Sequence, residues 1–215
     1  MPATEMEVER LGDNYLLLDF CEFSVDGRMS EETYVTQACT GLYAAFDMLN
    51  PWEKNIQYKQ EYIDRDTLGT GPVSVFYDFE IAEDFDWSDM KFICEKPGLW
   101  TVCVNGNRVE PMDGVHPLDA RNGCYSIGKY VHKGTNEVVL SRGTMSVLAE
   151  ISFAFVAGDF SVIPSASGFE IKAPAPVSTG AWKEHGKAPS AKSSSTAQRP
   201  GSSHSSHTKW TSLRF

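Results

Sequence analysis

Short stretches that alternate apolar and polar residues follow one another from residue 71 to residue 163, and they limit this chain to a β-rich fold. The clearest is Val73–Ile81, in which every odd position is apolar and the even positions hold Ser, Phe, Asp and Glu. A period of two predicts a strand with one buried face. Many short strands at regular spacing, with almost no helix between them, predict an antiparallel β-sandwich.

The strongest turn signal in this run is the dipeptide Asn105-Gly106. It follows Trp100–Val104, whose even positions are apolar, and it precedes a polar return segment. Both residues tolerate the positive φ angles of a type I′ turn. We therefore expect a two-residue hairpin at this position.

The flanks of the central run add two strands and a helix to the prediction. Residues Asn14–Val25, followed by Asp26-Gly27, are typical of a strand and a turn. Met145–Phe155 is again apolar at odd positions and predicts the last long strand. One short N-terminal helix that ends at Asn50-Pro51 is predicted from apolar residues at helical spacing, namely Ala38, Leu42, Ala45, Phe46 and Leu49.

Composition divides the chain into three parts. Residues 1–171 form the predicted sandwich domain, and residues 172–186, with Pro174 and Pro176, are typical of a linker. The last part, 187–215, holds nine serines in 29 residues and no acid. Such a segment cannot bury enough apolar surface to offset its ordering entropy, so we expect a disordered basic tail.

Charge is distributed unevenly between these parts, although the whole chain carries −10. Residues 172–215 hold seven Lys/Arg and one acid, which leaves 12 basic and 28 acidic residues in 1–171, a balance of −16. An acidic body repels phosphate backbones, so nucleic acid is not an expected partner. The chain has no run of about 18 apolar residues, so a membrane is not expected either.

The five cysteines are Cys21, Cys39, Cys94, Cys103 and Cys124, and no two form a C-x-x-C pair. Zinc sites and redox motifs need closer or paired spacing. Cys94 and Cys103 lie in strand-like runs and could face each other across a hairpin. Small buried side chains in a reduced protein are the favoured interpretation.

The order and spacing of several segments resemble a known family. They are Asn14–Cys21, Glu95–Gly106, His132–Leu140 and Gly158–Val162. Over residues 13 to about 163, the chain resembles the galactose-binding-like, jelly-roll β-sandwich of large α-L-rhamnosidase-like glycoside hydrolases. The resemblance implies a non-catalytic accessory domain whose partner is the catalytic domain of a parent hydrolase, with a plant or microbial glycan as a further expected ligand.

The same resemblance leads to a hypothesis about the end of the chain. The segment Val177–Gly186 is similar to the family's passage into a following strand, and a Ser-rich sequence of different composition then begins at Lys187. We therefore expect a reading-frame shift or a gene fragment near Lys187. An uninterrupted parent frame that ends at Phe215 would refute this.

No catalytic residue is predicted. Asp78 and Glu80 lie about 7 Å apart on one strand face, whereas glycoside hydrolysis needs carboxylates that face each other across a cleft. His116, Asp119 and Cys124 could supply a Cys/His couple, but no nucleophile-elbow motif accompanies them. Polar surface is the favoured interpretation of both groups.

Two ligand sites are candidates. The turn that holds Asp84, Asp86 and Asp89 offers oxygen ligands suited to a structural calcium ion, although its spacing is not that of an EF-hand. No other cofactor is predicted. Trp87 in this acidic loop and Trp52 after Pro51 are candidates for stacking on a sugar ring, while Trp100 is in phase with the core.

These observations favour one function over two alternatives. The expected function is that of a non-catalytic accessory module of a glycan-degrading enzyme, which packs against a catalytic domain or extends its sugar site. An independent carbohydrate-binding module that uses loop aromatics is the first alternative. A stand-alone hydrolase is the second.

Overall fold

A computed structural model describes residues 10–48, 50–51, 71–166, 168–176 and 196–197. Within these ranges, the helix α1 spans Val35–Ala44 and a 3-10 turn spans Pro97–Leu99. The strands, β1 to β14 in chain order, are Asn14–Leu18, Phe20–Val25, Arg28–Met29, Thr33–Tyr34, Val73–Ile81, Lys91–Glu95, Thr101–Val104, Asn107–Val109, Asn122–Ser126, Gly134–Arg142, Ala154–Gly158, Ser161–Ser165, Gly168–Lys172 and Thr196–Ala197.

The strands form two sheets that enclose one main core. The five-stranded sheet has the order β14-β1-β11-β6-β9. The nine-stranded sheet has the order β12-β13-β5-β10-β7-β8, and β2 pairs with β5 and carries β3 and β4. Pairing is antiparallel except where β14 meets β1 and β13 meets β5. The predicted antiparallel β-sandwich with one N-terminal helix is confirmed, but α1 ends at Ala44 and not at Asn50-Pro51 as predicted.

Strand β5 shows how the period of two produces the core. Its odd residues, from Val73 to Ile81, are 0 to 3% exposed, and they pack with residues of the five-stranded sheet such as Phe92 and Val156. The even residues lie on the outer face, where Asp78 is exposed. Burial of one face of each sheet is the main stabilising contribution to the sandwich.

The first predicted strand, Asn14–Val25, is wrong as a single element. The structure divides it at Asp19 into β1, in the five-stranded sheet, and β2, in the nine-stranded sheet. A continuous apolar run cannot show this break, because both halves are buried on their core faces. The predicted turn at Asp26-Gly27 is confirmed, with φ angles of 50° and 76°.

The predicted last strand, Met145–Phe155, is also wrong in its extent, since β11 begins only at Ala154. Its odd residues are nevertheless buried, namely Met145, Val147, Ala149 and Ile151. Hydroxyl groups of two core tyrosines bind backbone carbonyls that a partner strand would bind in a sheet. The Tyr43 hydroxyl donates to the carbonyl of Val147 at 2.7 Å, and the Tyr77 hydroxyl donates to the carbonyl of Ser152 at 2.6 Å. In this segment the period of two therefore indicates which residues are buried, although the segment is not a strand of a sheet.

The five cysteines are free thiols in the structure. Cys94 lies in the five-stranded sheet and Cys103 in the nine-stranded sheet, so they do not face each other across one hairpin. Burial raises the pKa of the Cys21 and Cys94 thiols to about 12. These thiols stay protonated at neutral pH and behave as small apolar side chains, as predicted.

Acidic residues crowd the outer face of the nine-stranded sheet. Glu137 of β10 is directly opposite Asp78 of β5. The pKa of Glu137 is raised by partial burial first, and then by the charges of Asp78 and Glu22. Like charges directly opposite each other on a sheet destabilise it.

Replacing Glu137 with glutamine is therefore expected to raise the free energy of unfolding at pH 7 by roughly 0.3–0.5 kcal/mol, a small value because solvent screens these charges. A raised folded-state pKa means that the ionised carboxylate disfavours folding above that pKa. The penalty disappears as the pH falls below the unfolded-state value of about 4.3. Urea unfolding at pH 7.5 and pH 4 should show the gain only at pH 7.5, while Glu31→Gln on an exposed turn should show none.

Candidate functional site

A groove opens on the outer face of the five-stranded sheet. Its volume is about 340 Å³. We call it the carboxylate groove and define it by its lining residues, Val35, Thr36, Glu95, Leu118, Asp119, Asn122, Glu150, Ile151, Ser152, Phe153 and Phe155. Helix α1, strands β6, β9 and β11 and two connections all contribute to it, so it forms only in the folded protein.

Strand register places the floor of the groove. Glu95 of β6 is opposite Asn122 of β9, and Phe155 of β11 is opposite Ile93 of β6. These four residues share the outer face of the sheet because side chains alternate between faces along a strand. A second apolar cluster begins beside them, in which Ile93, Cys124 and Ala157 are buried against Tyr15, Val115 and Phe155.

The segment that precedes β11 forms one wall. The Tyr77 hydroxyl holds the Ser152 carbonyl from the core, as described above, and Ile151 is buried. The ammonium group of Lys96 donates to a carboxylate oxygen of Glu150 at 2.8 Å. The ring of Phe153 packs edge-on against Tyr34, with ring centroids 5.8 Å apart. This wall is therefore held by core packing and by one ion pair.

The connection before β9 forms the opposite wall, and the buried residue Asn122 organises it. The amide of Asn122 donates to the Pro117 carbonyl at 2.9 Å, and its backbone N–H donates to the Asp119 carbonyl at 3.0 Å. Its own carbonyl lies 2.8 Å from the imidazole Nδ1 of His116. These contacts give the connection one defined conformation without a regular element.

Leu118 stands out at the rim of this wall. Its φ angle is +69°, which is rare for a bulky residue other than glycine, and 59% of its surface is exposed. Such backbone conformations cost about 1–3 kcal/mol and concentrate at functional sites. The strained backbone and the exposed apolar side chain together make Leu118 a candidate for ligand contact.

The three carboxylates of the groove differ in their electrostatic surroundings. The pKa of Asp119 is lowered by the backbone N–H of Arg121, and then by the guanidinium of the same residue, which lies 3.2 Å away. Glu150 is paired with Lys96 at 2.8 Å. Within the described part of the chain, no basic side chain is within ion-pair distance of Glu95.

The three aspartates predicted to bind calcium each have a different partner. Asp86 accepts a hydrogen bond from the Ser88 backbone at 3.0 Å, and Asp89 accepts one from the Asp159 backbone at 3.0 Å. Asp84 lies 3.7 Å from the ammonium group of Lys133. Among the described residues, no three His, Cys, Asp or Glu side chains are grouped to hold a metal ion. The calcium site stays a prediction.

Of the two tryptophans predicted to bind sugar, Trp87 does not line the carboxylate groove. Trp87 is half-buried, and its ring packs edge-on against Phe85 with centroids 5.6 Å apart. Trp52 lies outside the described residues. Trp100 is buried in the core, as expected. Sugar stacking by Trp87 stays a prediction that binding data must test.

The groups weighed for catalysis are separate from one another. Asp78 and Glu80 lie on one outward face of β5, and Glu80 accepts a hydrogen bond from Thr135 at 2.8 Å. The Nδ1 atom of His116 is directed to the Asn122 carbonyl, while Cys124 is buried and its thiol pKa is raised by that burial. A raised thiol pKa opposes formation of a nucleophilic thiolate.

Reasoning from the sequence missed most of the carboxylate groove. Only Asp119 had been considered as a functional residue. Glu95, Glu150 and Phe155 appear in the sequence as ordinary members of alternating strands, and they meet only through sheet register. A single signal is present, namely the large apolar residue Leu118 between Pro117 and Asp119 in a connection without a regular element.

Within the described residues, no helix is long and apolar enough to cross a membrane. No protein-family model matches the sequence, and no curated protein matches it.

Two of the solved structures that are similar to this chain are β-glucuronidases. The β-D-glucuronidase from Dictyoglomus thermophilum has a TM-score of 0.42 and 15% identity, over 77% of this chain and 34% of that one. The β-glucuronidase from an uncultured Clostridium species has a TM-score of 0.35 and 13% identity, over 79% and 35%. The chain thus spans about a third of each similar structure. The rhamnosidase origin stays a prediction.

Proposed function

We propose that this chain is a non-catalytic β-sandwich module of a glycan-degrading protein, and that the carboxylate groove is its saccharide site. The groove would extend the sugar site of a catalytic domain. The observation that carries the proposal is the groove itself, in which apolar and aromatic side chains share one concave surface with three carboxylates.

The composition of the groove suits a sugar. Binding sites for small molecules are concave, mostly apolar, and contain a few placed polar groups, and their volumes begin at about 300 Å³. The side chains of Leu118, Phe153 and Phe155 can cover the apolar face of a pyranose ring. Glu95 and Asp119 can accept hydrogen bonds from sugar hydroxyls, and bonds to a charged acceptor are the stronger kind.

The electrostatics of the groove favour binding over hydrolysis. A glycosidase needs one carboxyl group whose pKa is raised, so that it can protonate the leaving oxygen. The pKa of Asp119 is instead lowered, and Glu150 forms an ion pair with Lys96 at 2.8 Å. These two groups are therefore suited to accept hydrogen bonds and not to donate a proton.

The test is glycan binding by the full chain, screened against plant and microbial oligosaccharides and quantified by calorimetry for the best ligand. Leu118→Gly is expected to weaken that binding by about 10-fold, because it removes an exposed apolar contact. The same change relieves a left-handed conformation that costs about 1–2 kcal/mol in a non-glycine residue. Part of this gain is offset, because a glycine loses more conformational entropy on folding, a cost of about 0.5–1 kcal/mol. Thermal stability should therefore hold or rise slightly while affinity falls.

Trp87→Ala serves as the comparison, since it removes an aromatic side chain away from the groove. If Trp87→Ala abolishes binding and Leu118→Gly leaves it intact, the groove is not the site and the loop predicted from the sequence is. If the full chain hydrolyses an aryl glycoside and a single Asp or Glu substitution abolishes that hydrolysis, the non-catalytic assignment is contradicted.

A packing role without glycan binding is the second candidate. The connection before β9 exposes two large apolar side chains, Met112 at 38% and Leu118 at 59%. Exposed apolar residues are typical of contact surfaces where they form one contiguous patch. Absence of glycan binding, together with weaker self-association after Leu118→Gly, would favour this candidate.

A further inference from the structure

The lining of the carboxylate groove carries negative charge and no positive side chain. Its described residues include Glu95, Asp119 and Glu150, and none is Lys, Arg or His. Lys96 and Arg121 stand beside the groove, but each is in an ion pair, with Glu150 at 2.8 Å and Asp119 at 3.2 Å. A ligand therefore meets carboxylates in the lining and cations that already have partners.

Glu95 is the carboxylate best placed to contact such a ligand. It lies at the end of β6 on the outer face of the sheet and is partly buried. Arg121 acts on Glu95 only through longer-range attraction. A half-buried carboxylate without a close cation is satisfied best by donors from water or from a ligand.

We infer that the carboxylate groove binds saccharides that carry no negative charge and excludes uronic acids and sulfated sugars. This inference rests on the proposed function. Hydroxyl groups of a neutral sugar can donate to Glu95 and Asp119. A uronate or sulfate would instead lose water beside like charges, with no unpaired cation in the lining to receive it. The balance of −16 over residues 1–171 adds repulsion at longer range.

The experiment compares the neutral oligosaccharide that binds best with its own anionic form. That form is the C6-oxidised sugar or, where no primary alcohol exists, a mono-sulfated one, so that the stereochemistry of the sugar stays the same. For the full chain at low salt, we expect the neutral ligand to bind at least 10-fold more tightly. The ratio should shrink as salt rises, because the Debye length falls to about 10 Å at 0.1 M.

Two matched variants identify the group responsible. Glu95→Gln removes one negative charge from the groove. It is expected to lower the ratio of the neutral-ligand affinity to the anionic-ligand affinity by 3-fold or more. Glu80→Gln makes the same change on the outer face of the nine-stranded sheet and should leave the ratio unchanged. Circular dichroism of both variants confirms that they fold.

The possible outcomes separate the two proposals. If no neutral sugar binds, the proposed function is wrong, and so is the inference that the groove excludes anionic sugars. If the anionic ligand binds as tightly as the neutral one, only the inference that the groove excludes anionic sugars is overturned. A ratio that falls equally in Glu95→Gln and Glu80→Gln would assign the exclusion to the overall charge of the chain and overturn the role of Glu95.

Discussion

Replacing Asn136 with alanine is expected to lower the free energy of unfolding by about 3–5 kcal/mol, because several buried polar groups lose their partners together. Asn136 is 0% exposed. Its amide nitrogen donates to the carbonyls of His132 at 2.7 Å and Gly134 at 2.9 Å. Its oxygen accepts from the His132 backbone at 2.9 Å and from the Asn105 amide at 2.8 Å.

A second asparagine extends this network to the hairpin turn. Asn105, which has φ of +47° in the type I′ turn, also donates to the Tyr130 carbonyl at 2.8 Å and accepts from the Glu137 backbone at 3.0 Å. Loss of the Asn136 side chain therefore weakens the link between the β7–β8 turn and the start of β10. Asn136→Asp should also lower the free energy of unfolding, since a carboxylate cannot donate to the two carbonyls.

Asn107→Ala is the matched control, because Asn107 also bonds backbone carbonyls but is exposed. It should change the free energy of unfolding by less than about 0.5 kcal/mol. Urea unfolding at pH 7, followed by tryptophan fluorescence, measures both variants. Equal effects of the two substitutions would show that burial of the network does not matter.

The second large effect is expected for Gly128→Ala, which should destabilise the sandwich by about 2–4 kcal/mol. A Cβ atom at this position would lie 2.5 Å from the backbone oxygens of both Trp87 and Ser88. The turn that carries these oxygens is held in place, since the Met90 backbone donates to the Trp87 carbonyl at 3.0 Å and the Ile127 backbone donates to that of Met90 at 2.9 Å. Relief of the overlap must therefore shift backbone in a packed region.

Gly98→Ala is its control, because a Cβ there would meet no atom within 4 Å. It should be neutral or stabilising by up to about 1 kcal/mol, since alanine reduces the entropy of the unfolded chain. Thermal unfolding compares the two variants, and near-UV circular dichroism detects any shift of Trp87. A Gly128→Ala protein with unchanged stability would show that the turn around Trp87 moves freely.

Local signals in the sequence predicted much of the fold. The period of two in β5 and the positive-φ turns at Asp26-Gly27 and Asn105-Gly106 depend on neighbours within a few residues. They could therefore be recognised without knowledge of distant contacts. The same period was wrong about Met145–Phe155, where hydroxyl groups of core tyrosines replace a partner strand.

The candidate site could not be predicted in this way. Glu95, Leu118 and Phe155 lie far apart in the sequence and meet through the register of β6 with β9 and β11. Glu95 alternates with apolar neighbours in the same manner as Glu80, which lies on the other sheet. Only pairing between strands decides which carboxylate faces a groove.

The class of fold follows from the amino-acid sequence, because alternation, turn residues and side-chain volume act over short distances and leave few alternatives to a β-sandwich. The burial of four of the five cysteines as small apolar side chains follows from it as well, while Cys103 is partly buried. The tertiary structure alone decided where the chain changes sheets at Asp19, which face each acid occupies, and that Leu118 is held at φ +69° beside three carboxylates. These features depend on long-range register and packing, and a slip of one residue would reverse the faces of a whole strand.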